Sequence, residues 1–241
     1  MEQEKRPLTF SLFFLRLLSG IIGGSVGTLA LFIVYFIMIN VMPKAEGVSS
    51  MSLFVIIVMT FVGTLTANTV TAAMVTFMDN EKYNRRKTII MHIFLFNLVL
   101  FFLTIPLYLL GTLSKITNGI AAIHFLISAF VSALIMEVIA GYKYSLLGIY
   151  STALGVFVSI GIALLMMAGA VPSITIMFVA MPGVWFILQL VGGITELIYD
   201  NFVKFYGVKA LDIQTDIGGD EELEPKEEEE DDEEEEDEKD D

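Results

Sequence analysis

Long apolar runs separated by short polar breaks dominate the chain. Six segments are long and apolar enough to span a bilayer: Leu17–Met42, Met51–Met78, Thr88–Leu110, Gly119–Ala140, Ser145–Ala170 and Ile174–Tyr199. A helix rising about 1.5 Å per residue needs about 20 such residues to cross the hydrocarbon core. The breaks at Pro43–Gly47, Asp79–Lys87, Gly111–Asn118, Gly141–Tyr144 and Val171–Ser173 carry turn or charge signals. The last is only three residues long, which leaves a full crossing or a re-entrant hairpin open. The pattern predicts an all-α membrane protein, a six-helix transmembrane bundle over residues 17–199.

The flanks differ from the body. Residues 1–16 read as a cytoplasmic arm with an interfacial lead-in at Leu8–Leu15. Lys5 and Arg6 before an apolar stretch imitate a signal peptide, but Arg16 interrupts that stretch and no small-x-small site closes it, so a retained first span is expected. Residues 200–217 place Phe202, Phe205, Tyr206, Lys209 and Ile213 at near-helical spacing, as in a juxtamembrane amphipathic segment. Residues 218–241 are low-complexity Glu/Asp, too charged and too poor in apolar side chains to fold, and predict a disordered acidic tail.

Composition sharpens this picture once charge is split by position. The 241 residues are 55% hydrophobic and 17% charged, with a net charge of −14. The tail holds 18 acidic residues and two lysines, so it carries −16 and the remainder +2. With the N-terminus inside, Lys5, Arg6, Arg16, Lys82, Arg85, Arg86, Lys87, Lys143, Lys204 and Lys209 fall on the inner side, and only Lys44 and Lys115 outside. That asymmetry predicts a cell-membrane protein with both termini cytoplasmic. The tail is then repelled by an anionic leaflet. It is available to a basic cytosolic protein, to the chain's own Lys82–Lys87 loop, or to nothing in particular; its sign disfavours nucleic acid.

Zero cysteines exclude disulfides and thiolate chemistry. No H-E-x-x-H motif, intramembrane aspartate pair or phosphate loop is present, and no metal or cofactor site is expected. Gly23-Gly24-Ser25-Val26-Gly27 matches a hydrolase pattern in letters, but it lies within a predicted helix rather than on a strand-turn-helix elbow.

Three groups of residues remain as candidates. Gly20, Gly23, Gly24 and Gly27 form small-xxx-small ridges that let helix backbones approach, within the bundle or across a homo-oligomer interface. Asn68, Asn97 and Gln189 lie near mid-span, as interhelical hydrogen-bonding amides or as a polar path for a solute. His92, Glu137 and Glu196 each lie four residues from an inner boundary, about 6 Å deep, either as a polar cluster or as side chains snorkelling separately. Pro182-Gly183 predicts a break in the sixth span, of the kind that builds transporter sites. The leading expectation is a non-enzymatic membrane interaction or scaffold component in the lipid bilayer. The alternative is a transporter or channel subunit for a small uncharged solute.

Overall fold

The computed structural model describes residues 8–41, 49–113, 117–140, 142–169 and 173–206. They form six helices: α1 (Phe10–Val41), α2 (Ser49–Met78), α3 (Arg86–Leu113), α4 (Thr117–Ala140), α5 (Tyr142–Ala168) and α6 (Ser173–Tyr206). All six are long and apolar enough to cross a membrane. Large apolar side chains such as Phe36, Phe102, Leu103, Phe157 and Leu165 stand exposed on the outer surface. A water-facing surface would not tolerate so many; the chain is a polytopic membrane protein whose outer faces contact lipid.

Sequence neighbours pack side by side, α1 closes against α6, and α2 also reaches α4. The buried stripes of α2, α3 and α4 face one another. Their apolar members, including Val75, Ile89, Ile93, Ala129 and Met136, meet Trp185 and Leu188 of α6 in one core. Many buried hydroxyls bond within their own helix, as Thr28 does to the Gly24 carbonyl at 3.1 Å and Thr76 to that of Ala72 at 2.7 Å. Such back-bonding keeps a hydroxyl satisfied where water is excluded.

The glycines of α1 serve two seams inside the bundle. Gly20 and Gly24 face α6: a methyl group on Gly20 would sit 2.8 Å from the Trp185 carbonyl oxygen, and one on Gly24 would run into the Pro182 backbone. Gly23 and Gly27 face α2, where they abut Thr71, Ala67 and the Gly63 carbonyl oxygen, the last at 2.7 Å from a methyl on Gly27. Ser25 is exposed on the opposite face of α1.

Phe10–Leu15 forms the first turns of α1, continuous with the span, and Arg16 meets partners from other helices. One local expectation is corrected. Pro182-Gly183 does not break the sixth span, because α6 runs unbroken from Ser173 to Tyr206. Proline lacks one amide hydrogen, but close packing against Gly24 holds the helix on course. The Val171–Ser173 junction, most of the 200–217 segment and the acidic tail lie outside the described residues.

Candidate functional site

The α4 stripe His124, Ser128, Ser132 and Glu137 recurs every four or five residues. At helical rise it covers about 20 Å. All four side chains point inward and fall into three tiers of polar contacts, with Ser128 and Ser132 sharing the middle one.

The first tier lies at the end of the bundle bearing the turn of residues 79–85, the turn end. The turn continues α2 in helical fashion, with Asp79 N–H donating to the Val75 carbonyl and Tyr83 N–H to that of Asp79. This folds Lys82 and Tyr83 back over the bundle. Arg16, only 2% exposed, reaches them from α1. Its Nη1 donates to Glu196 Oε2 at 2.9 Å and lies 4.0 Å from Asp79 Oδ2. Its Nη2 is 3.8 Å from Glu137 Oε1, and its Nε donates to Gln189 Oε1 at 3.4 Å. Lys82 Nζ bridges Glu137 Oε2 at 3.0 Å and Glu196 Oε2 at 3.2 Å. The Tyr83 hydroxyl donates to Glu137 Oε1 at 2.7 Å.

Room for Glu137 comes from Gly148 of α5, where a methyl group would stand 2.7 Å from the Glu137 side chain. A cavity of about 10 Å³ remains between Arg16, Lys82, Glu137, Ser151 and Glu196, the space of about one water molecule.

Electrostatics bind the turn to this tier. Burial weakens the hold of Lys82 on its proton, but Glu137 and Glu196 outweigh it and keep that hold above the ordinary value. Burial also raises the Tyr83 phenol, keeping it a neutral donor. Asp79 is raised as well: burial outweighs the opposing pull of Arg16 and Lys82.

The second tier is a knot of neutral groups from four helices. Asn68 Nδ2 donates to Asn97 Oδ1 at 3.0 Å and to Ser128 Oγ at 2.6 Å. Asn68 Oδ1 accepts from Trp185 Nε1 at 3.0 Å. Ser128 Oγ also donates to Asn97 Oδ1. Asn97 Nδ2 then donates to the Ile93 carbonyl at 2.8 Å and to Ser132 Oγ at 3.3 Å. Between them the two amides have every polar atom bonded.

The third tier lies at the far end. His124 Nδ1 is 2.9 Å from Thr104 Oγ1, whose own hydroxyl is within reach of the Leu100 carbonyl at 2.9 Å. The Tyr108 ring lies 6.2 Å from that of His124. His124 Nε2 is buried and has no partner among the described residues.

The expected groupings are therefore redrawn. Glu137 and Glu196 do meet, but His92 stays outside: it is exposed on α3 and donates from Nδ1 to the Thr88 carbonyl at 2.8 Å. Its neighbour Ile93, about 100° further round the helix, is the side chain that faces the interior. Asn68 and Asn97 meet, but Gln189 does not join them; it lies one turn beyond Trp185 on α6 and pairs with Arg16. Lys82 of the basic loop joins the carboxylates, and the side chain of Lys143 lies outside the described residues. Arg16 as a buried ion, Tyr83 as an inward donor and Trp185 as the knot's fourth anchor are not legible in the sequence pattern. The four-residue repeat of His124, Ser128 and Ser132 was the available signal. No family model, curated protein or solved structure matches this chain, and its function therefore has to be read from this geometry.

Proposed function

We propose that the chain is a non-enzymatic membrane transport protein for a small polar solute, with the ionic tier as its gate at the cytoplasmic end. The observation that carries this reading is the buried network of Arg16, Asp79, Lys82, Glu137 and Glu196. Buried ion pairs stabilise a fold no better than apolar packing does, and ionisable groups within membrane spans mark solute or ion paths. This network joins α1, the 79–85 turn, α4 and α6, so it is made or broken as a unit when those elements part. Above it the α4 stripe continues the polar file to His124. The Lys/Arg distribution supports a cytoplasmic placement of the turn end and of both termini.

The test is flux into proteoliposomes, read by light scattering for uncharged osmolytes and by an internal dye for protons. Uptake above that of protein-free vesicles, altered by Glu137→Gln, is expected. Folded, monodisperse protein that moves none of these solutes would sink the proposal.

One observation favours the scaffold reading instead: the Asn68–Asn97 knot is saturated, so it behaves as a structural tie with nothing left to offer a solute. On that reading the acidic tail recruits a basic cytosolic partner. Co-purification from native membranes, full length against a chain ending at Gly218, separates the two.

A further inference from the structure

The turn that sends Lys82 and Tyr83 inward has a second, outward side. Asn84, Arg85, Thr88 and His92 line an open cleft of about 510 Å³, with Val138–Ala140 of α4 as the opposite wall. Arg86 and Ala140 each bound a membrane-spanning segment, so the cleft lies where hydrocarbon gives way to headgroups. Its one fixed cation is Arg85, exposed, with a guanidinium that has no partner among the described residues. The neighbouring cations are engaged differently: Arg86 lies over the Phe77 ring at 5.4 Å, and Lys87 is exposed but does not line the cleft.

We propose that this cleft binds the phosphate of an anionic membrane phospholipid. The guanidinium fork suits two phosphate oxygens, and the Asn84 amide and Thr88 hydroxyl add neutral donors. The apolar wall of Val138 and Ile139 suits the glycerol and the first methylenes of an acyl chain. Basic pockets between spans at headgroup level bind anionic lipid in this way. The inference is independent of transport: it requires only the bilayer and the outward face of the turn.

The experiment is native mass spectrometry of the full-length protein released from nanodiscs of mixed phosphatidylglycerol and phosphatidylcholine. Retained phosphatidylglycerol is expected, lowered roughly tenfold by Arg85→Gln, where a charged fork is lost, and by less than about twofold by Lys87→Gln. Val138→Trp, at an exposed position, fills the cleft without removing a charge and should also reduce retention. Equal loss in Arg85→Gln and Lys87→Gln would reveal diffuse surface attraction and overturn the site. So would equal retention of the two lipids. Displacement of the lipid by inorganic phosphate would make the ligand a soluble anion and overturn the lipid assignment.

Discussion

The two ends of the α4 stripe solve the same problem in opposite ways. At Glu137 the buried polarity is fully ionic and densely cross-linked: Tyr83, Lys82 and Arg16 all reach one carboxylate. At His124, on the same face of the same helix, one ring nitrogen meets Thr104 and the other meets nothing among the described residues. A charge in a low-dielectric interior must be matched, so Glu137 and Glu196 depend on the buried Arg16 and Lys82 beside them. A neutral imidazole can stay half-satisfied at a cost of about 1–3 kcal/mol. Opening the turn end therefore requires several bonds to part together. The far end has a donor or acceptor already uncommitted, and on the proposed transport reading it is the place where a polar solute would be met without first breaking a bond.

The largest effect should come from breaking the ionic tier. Arg16→Leu removes the shared guanidinium from Glu196, Glu137 and Asp79, while Lys82 stays on the two glutamates and Tyr83 on Glu137. Truncating one partner of a buried network typically costs about 3–5 kcal/mol. The readout is unfolding in mixed SDS and non-ionic detergent micelles, followed by helical circular dichroism. If Arg16→Leu unfolds at the wild-type SDS fraction, Arg16 is not the hub and the contrast between the ends collapses.

Next comes the knot between the ends. Asn68→Leu removes acceptors and donors for Trp185, Ser128 and Asn97 at once, and a loss of about 1–2 kcal/mol is expected for such interhelical bonds in a membrane protein. Trp185 fluorescence should change as its indole N–H loses its acceptor. An unchanged spectrum together with unchanged stability would mean that the knot ties nothing.

The bundle was legible from the alternation of apolar runs and breaks, because a spanning helix declares itself by length alone. The α1 glycine ridges were legible for the same reason: spacing of three and four residues fixes a face, and both seams lie within the bundle. The ionic tier was only half legible. Glu137 and Glu196 stood out as isolated carboxylates within apolar runs. Their partners were hidden because Arg16 and Lys82 sit at polar breaks, where a basic residue ordinarily marks topology and faces water. Depth counted from a break cannot show which way a turn folds, and residues 79–85 fold inward. Depth alone does not group Gln189 or His92: a 100° step per residue turns His92 away from the interior, and one turn along α6 carries Gln189 past Trp185 to Arg16.

Asp79 sharpens the comparison from inside the turn end. Burial raises its carboxyl above the ordinary 3.8 despite Arg16 and Lys82, so the folded chain binds this proton more tightly than the unfolded one. Its stabilising contribution is complete below about 3.8 and declines as pH rises through the higher folded value. Asp79→Asn should consequently change stability by less than about 0.5 kcal/mol near pH 7 and flatten the decline that begins above about pH 4. The Val75 and Tyr83 backbone bonds of the turn do not involve its side chain. A loss as large as that of Arg16→Leu would show Asp79 to be an equal member of the network.

At the far end an effect of opposite sign is expected. His124→Phe keeps a ring of similar shape beside Tyr108 and removes the unpartnered Nε2. Thr104 loses His124 but retains the Leu100 carbonyl, so no new polar atom is orphaned. Stability in the same micelle assay should be unchanged or rise by up to about 1 kcal/mol. On the proposed transport reading, flux in proteoliposomes should fall, because the uncommitted nitrogen is gone while the ionic tier is intact. A stabilised variant that transports at the wild-type rate would reduce the far end to tolerated imperfection and leave the ionic tier as the sole functional element. A destabilised one would show that Nε2 has a partner the contrast between the two ends assumes it lacks.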